Sequence, residues 1–518
     1  MNLARRALIC LLAATFAWPV MPASADSSFI AIPTPAIPGA AQLPGPVADA
    51  ATPSDHMGIL NVSPIKGIPG TPVTISGSGL PAKTAIVLTW STANVTWVVD
   101  PQPETVDYHG RSVTHLAVVL NRLTTDGSGA FHVSLRAPVD FGGLHDLYAV
   151  VGHTQVAHGG FLIQRSFSIN PTSGPIGTPI TITYRGIGSS LYEGGGALLY
   201  DNHYVGALTA NWTRGTAQVV IRAAGQVGNH VVGVEDAITY PYLNIQQTTI
   251  PWAHGFSRTF RVTRDAGRPV ARLDWPAQVT PTLDQRTTLE EFGQVPDGSV
   301  RLQLSATAVP VNHSITVRAS GLTSSARVSL VWSTVVGSRI NCTSICWTTV
   351  SQPLSEATPT NGVVATTVTS PDGLGGWHAV QMLQAGKLVA EQPIFLKENI
   401  VGSGVSALTV KEGQLFTVHL KGIGWTQLDN TRGVTYDNSY IGYGCGFSSN
   451  GDMQLELRAT GGAGTHLIDI YPVLFTETPS FANTPYGMAP MLTYARDLPG
   501  LAMGYQLPAA RLAITVVN

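Results

Sequence analysis

The side chains best equipped for chemistry occur in duplicate. Tyr200-Asp201-Asn202-His203-Tyr204-Val205-Gly206 returns 236 positions later as Tyr436-Asp437-Asn438-Ser439-Tyr440-Ile441-Gly442. A carboxylate, an amide and two aromatic faces are the set that grips a sugar's hydroxyls and its apolar ring face. The same residues also suit a tight hairpin, because Asp and Asn tolerate left-handed backbone and Tyr pairs well across strands. Both readings stay open on the sequence. Two long loops, nearly free of charge, follow in equivalent places. The first carries Tyr240, Tyr242, Trp252 and Phe256, and the second Phe475, Phe481, Tyr486, Tyr494 and Tyr505. Loops on a rigid scaffold are where binding concentrates; the other reading folds these aromatics back over the sandwich or buries them in the A–B interface. Glu193 and Asp429 are in register across the duplication, and with Glu235 and Glu477 they are the acids that a glycoside-hydrolysing site would draw on.

Other motifs point to structure. Gly-x-His recurs at His145, His230, His378 and His466, each time opening an alternating apolar run. Equivalent places in tandem domains lie a domain length apart, so these four rings cannot converge on one metal ion. They read as corner residues bonded to backbone, much as a tyrosine corner is. Trp90 and Trp332, in equivalent strand-like runs, read as core. The sequence has no Gly-x-Ser-x-Gly, His-Glu-x-x-His, phosphate-binding Gly-x4-Gly-Lys or calcium-loop pattern, and it suggests no cofactor and no metal. Cys342 and Cys346 are spaced for a disulfide that staples an inserted loop, and Cys445 is left over.

The elements that must position these residues are strands. Short runs of Val, Ile, Thr and Leu are punctuated by Gly, Pro, Asn and Asp, with no long helical period, and they predict an all-β chain. Its 518 residues hold several domains, each able to bury a core with 44% hydrophobic composition. The 236-residue repeat runs without a gap from Gly177/Gly413 through Gly186-Ile187-Gly188/Gly422-Ile423-Gly424 to His230/His466. Upstream, Trp90-Ser91-Thr92 and Gly142-Gly143-Leu144-His145 return as Trp332-Ser333-Thr334 and Gly375-Gly376-Trp377-His378. The chain therefore divides into two A–B pairs: A1 at 59–165, B1 at 166–263, a charged linker at 264–299, A2 at 300–397 and B2 at 398–518. Arg5 and Arg6, the apolar run 7–18 and Ala23-Ser24-Ala25 predict a secretory signal peptide over 1–25. Residues 26–58, rich in Pro and Ala, read as a flexible leader.

Ser63-Pro64-x2-Gly67-x2-Gly70-Thr71-Pro72 and Asn170-Pro171-x2-Gly174-x2-Gly177-Thr178-Pro179 resemble the opening strands of IPT/TIG-type immunoglobulin-like domains. The third and fourth units lack the Pro-x-x-Gly signature and inherit the resemblance through the duplication. It implies tandem immunoglobulin-like β-sandwiches of an extracellular modular protein, adhesive, glycan-associated or acting as a spacer. With 6 Lys and 23 Arg against 31 acids, the chain offers no basic excess for nucleic acid. The reading is a secreted, non-enzymatic binding or scaffolding protein of the cell surface or envelope, whose partner is an extracellular glycan or surface protein, with no transmembrane segment in the mature chain. Repetition of a whole pair favours bivalent engagement. A carbohydrate-active enzyme using the aromatic loops, and a self-assembling surface subunit, are the competing readings.

Overall fold

The computed structural model describes residues 30–32, 41–101, 106–190, 194–235, 240–241, 243–244, 246, 255–273, 298–324, 326–337, 347–425, 430–473, 489–493, 497 and 510–518. The chain is all-β, with four immunoglobulin-like sandwiches in two duplicated A–B pairs. Each unit sets a three-stranded sheet against a larger one. In B1, Ser166–Asn170, Pro179–Arg185 and Thr216–Arg222 form the small sheet, and Phe256–Val262, Gly228–Glu235, Gly195–Tyr200 and His203–Thr209 run in that order in the large one. Alternation builds these strands: in Pro72–Gly77, Val73 and Ile75 face the core while Thr74 and Ser76 face outward.

The Pro-x-x-Gly signature marks where the first strand of a unit changes sheet. After Pro64, Lys66–Gly67 pairs in parallel with Thr154–Ile163; after Pro171, Ser173–Gly174 pairs in parallel with Phe256–Val262. A Cβ on Gly67 or Gly174 would lie 2.5 or 2.4 Å from the hydroxyl of Thr71 or Thr178, so only glycine fits the bend. Units A2 and B2 make the same switch without the signature, through Ala308–Pro310 and Thr409–Lys411.

The segment 26–58, expected to be a flexible leader, is pinned along much of its described length. Ile30–Ile32 pairs antiparallel with Trp97–Val99, Val47 bridges to Val118, and Thr52–Ile59 pairs in parallel with strand Thr154–Ile163. Backbone ladders need no apolar period on the added strand, which is why composition misled here. The start of the linker is likewise held: the Arg264 carbonyl accepts from Ile176 N–H, Asp265 accepts from Thr465 N–H, and Arg272–Leu273 pairs with Ala510–Arg511. The signal peptide and the Cys342–Cys346 bridge lie outside the described residues.

Trp90 and Trp332 are buried at the centres of A1 and A2. All four Gly-x-His rings place Nε2 against the carbonyl four residues earlier: Phe141, Gln226, Leu374 and Gly462, at 2.7–2.9 Å. In the A units the ring lies against the core tryptophan, at 4.3 Å for His145 and 5.0 Å for His378. His378 is fully buried, and burial holds its pKa down at about 4. The unfolded chain takes up this proton near pH 6.5 and the folded one refuses it. A2 is therefore expected to lose about 3 kcal/mol between pH 6.5 and pH 4, relative to a His378→Gln variant, in denaturant melts followed across that range.

The duplicated glycines are the joint between A and B. Gly142 bridges Gly188 and Gly375 bridges Gly424 in parallel, with Gly142 N–H donating to Ile187 and Gly375 N–H to Ile423 at 2.9 Å. A Cβ on Gly142 would sit 1.9 Å from the Gly186 carbonyl oxygen, and one on Gly375 1.9 Å from that of Gly422. Gly375→Ala must therefore push the two backbones apart. It is expected to cost about 1–3 kcal/mol and to loosen A2 from B2, read as faster amide exchange at Gly375 and Gly424.

Candidate functional site

The duplicated Tyr-Asp-Asn motif closes a hairpin. Asp201 and Asn202 stand at φ 49° and 64°, Asp437 and Asn438 at 47° and 64°, the left-handed pair of a type I′ turn. Each turn is locked by its own unit. Tyr200 Oη donates to the Ala224 carbonyl and Tyr436 Oη to that of Thr460, both at 2.8 Å. Asp201 Oδ2 meets His230 Nδ1 at 2.5 Å and Asp437 Oδ2 meets His466 Nδ1 at 2.6 Å, while the second oxygen accepts from Val231 or Leu467 N–H. The ring of His466 has an acceptor at each nitrogen. Burial opposes its charged form, but the Asp437 carboxylate and the Gly462 carbonyl outweigh that and raise its pKa. The carboxylates singled out for sugar recognition thus hold the turn to the next strand.

The second tyrosine of each copy stands at the contact between units. Tyr204 and Tyr440 meet edge to face, with ring centroids 6.3 Å apart, where B1 and B2 touch. Tyr240, from the first aromatic loop, lies 4.9 Å from Tyr204 and is half exposed. Burial raises the pKa of all three hydroxyls, so they remain neutral and hydrogen-bonding at any physiological pH. Phe256 packs instead on Tyr184 of its own unit, 6.1 Å away. Tyr242, Trp252, Phe475, Phe481, Tyr486, Tyr494 and Tyr505 lie outside the described residues, as do the acids Glu193, Asp429 and Glu477. Glu235 is at the end of a B1 strand, where burial raises its pKa.

The seam is rigid. The Arg222 guanidinium of B1 is almost wholly buried against Asp469 of B2 and also donates to the Ile468 and Leu512 carbonyls. Asn438 Nδ2 donates to the Arg222 carbonyl at 2.8 Å. The second loop returns across the same seam: Ala207 N–H donates to Pro490 O at 2.8 Å, and Leu492 N–H to Ala207 O at 3.0 Å, so residues 490–492 make one parallel bridge, Met491 to Ala207, on the B1 edge. Tyr240 of the first loop and residues 490–492 of the second therefore both lie at the seam.

The sequence did not flag Asp497. It is fully buried where A1, B1 and B2 converge: its carboxylate accepts from Trp212 N–H, and its carbonyl from Trp97 Nε1, each at 2.7 Å. Burial pushes its pKa up to about 6. Arg111, bonded to Asn211 Oδ1 at 2.9 Å, supplies nearby positive charge. One of two acids, with Glu477, in a loop of little charge was the available signal. Among the described residues no three His, Cys, Asp or Glu side chains gather as a metal site would need, and no helix is long and apolar enough to cross a membrane.

No protein-family model and no curated protein sequence matches the chain. Solved structures that align with it include the native α2-macroglobulin of E. coli, with 9% identity over 87% of this chain and a TM-score of 0.16. A methylamine-reacted Salmonella α2-macroglobulin aligns with 10% identity over 89% of this chain, again with a TM-score of 0.16. The E. coli adhesin FdeC aligns with 14% identity over 69% of this chain and 99% of its own, also at a TM-score of 0.16. The chain spans about a third of the length of the two macroglobulins, 30% and 31%.

Proposed function

We propose that this chain is a secreted, non-enzymatic binding or scaffolding protein of the cell surface or envelope, built from IPT/TIG-like immunoglobulin modules, that holds an extracellular glycan or surface protein at the tyrosine seam between B1 and B2. The observation that carries this reading is the meeting of Tyr204, Tyr440 and half-exposed Tyr240 on a framework fixed by a buried ion pair. A neutral phenol with an exposed ring, as at Tyr240, suits polyol recognition, and a preorganised frame reduces the entropy lost on binding. The duplicated acids Asp201 and Asp437 are engaged with histidines, which supports binding over hydrolysis. Bivalence needs revision: two copies welded face to face present one composite seam in place of two independent sites.

The test is co-sedimentation of the intact mature protein with cell-wall material and insoluble polysaccharides. Tyr240→Ala is expected to weaken retention about tenfold, equivalent to ~1.4 kcal/mol, with the melting temperature unchanged. Undiminished retention by that variant would remove the seam from the reading, and no retention by the native chain would remove the glycan.

A further inference from the structure

The two copies of the edge strand differ in one respect. In B1, the strand His203–Thr209 is buried from Val205 onward, because residues 490–492 lie alongside it. In B2, the equivalent strand Ser439–Cys445 is open: Ile441 is 49% and Tyr443 45% exposed, and Cys445 is exposed too. Among the described residues it ends its sheet with no further strand beside it. A Cβ on Gly206 would lie 2.5 Å from Pro490 O and 2.8 Å from the Leu492 side chain, whereas one on Gly442 would meet nothing within 4 Å. Both edges carry the same register irregularity near the turn, at Leu198/Leu199 and Val434/Thr435, so their geometries correspond.

We propose that the B2 edge strand Ser439–Cys445 is a docking site for an extended, uncharged, apolar segment of another protein, which adds to the sheet as residues 490–492 add to B1. The occupant's chemistry is read from the covered copy, where Ala-Pro-Met-Leu-Thr takes the place in parallel orientation. Main-chain bonds would supply the attachment, as in other strand-addition complexes. Tyr443 is the counterpart of Ala207, so its N–H and C=O are the pair that an incoming strand engages. Folded proteins usually blunt such edges with Lys, Pro or inward charge. The stretch Ser-Tyr-Ile-Gly-Tyr-Gly-Cys has none of these, and Ile441 and Tyr443 stand exposed beside the backbone. The proposal extends the reading of the chain as a binding protein; Tyr440 of this strand also meets Tyr204 at the seam, so the two readings are told apart by the probe and by the outward amides of Tyr443 and Cys445, which Tyr240→Ala leaves in place.

The probe is a fluorescein-labelled peptide carrying this chain's own residues 486–495, titrated into the full mature protein, with amide exchange recorded in parallel. Saturable binding is expected, with new protection at Tyr443 and Cys445. Tyr443→Pro removes the outward donor at a position where an edge strand tolerates proline, and it is expected to weaken binding at least tenfold. If that variant fails to fold, the Ile441→Lys/Tyr443→Lys double variant gives the same reading. The proposal is overturned by absence of saturable binding up to millimolar peptide, by undiminished binding in either folded variant, or by protection that maps elsewhere. Protection of these amides by a soluble oligosaccharide in place of the peptide would also overturn it, assigning the surface to glycan.

Discussion

Replacing Arg222 with Met is expected to lower the stability of the B1–B2 assembly by about 3–5 kcal/mol, because it takes from Asp469 its ion-pair partner in a dry interface. The Arg222 and Asp469 side chains are 3% and 2% exposed, so water cannot replace the lost partner. Arg222 also satisfies the Ile468 and Leu512 carbonyls, whose desolvation adds to the loss. Removing both charges should be much milder: Arg222→Met with Asp469→Leu is expected to recover most of the loss, since an apolar pair of similar volume matches or exceeds a buried ion pair. Scanning calorimetry of the intact chain reads both variants. A double variant as unstable as the single one would show that the carbonyl bonds, and not the ion pair, hold the seam.

Asp140→Ala is expected to cost a similar 3–5 kcal/mol, this time between A1 and B1. Asp140 is fully buried; it accepts from Trp90 Nε1 at 2.9 Å and pairs with Arg214 at 2.7 Å. Arg214 belongs to B1, lies over the Phe141 ring at 5.1 Å, and reaches the Ala93 carbonyl at 3.0 Å. The variant strands a guanidinium and an indole N–H together. Asp140→Asn keeps an acceptor for the tryptophan and should cost less. The check is a denaturant melt that follows tryptophan emission; equal losses for Ala and Asn would assign the whole effect to the charge. A further buried pair lies within B2, at its first residue: Arg432 donates from Nε and Nη2 to Glu398 Oε2 at 2.9 and 2.8 Å, both side chains being buried.

These interfaces mark the limit of what the sequence could disclose. The all-β class, the paired repeat, the corner histidines and the core tryptophans follow from local alternation and from self-similarity, which one chain suffices to show. Asp-Asn as a left-handed turn was also legible, because the residue types carry the geometry. The seam was not. It depends on residues hundreds of positions apart, and the duplication hides it by suggesting that equivalent residues do equivalent things. Arg222 and Arg458 are equivalent, yet one is buried in an ion pair and the other is exposed. The better signal lay where the copies differ: Gly233 in one strand becomes Asp469 in the other, a charge inside Leu467-Ile468-Asp469-Ile470 that burial obliges to find a partner. Asp497 escaped for a related reason, since its partners come from three units.

Residues 490–492 give the chain a temporal order as well as a shape. B1 is translated long before its last strand exists, so it must wait for more than half of the remaining polypeptide before its edge can be sealed. Closure over so many intervening residues is slow compared with the formation of a local hairpin. During that interval the B1 edge is open, and the molecule is at its most prone to self-association. A chain truncated before Pro490 would leave that border open for good, and it would also lack Ala510–Val517, the strand that lies between Gly464–Pro472 and Thr409–Lys411 in B2.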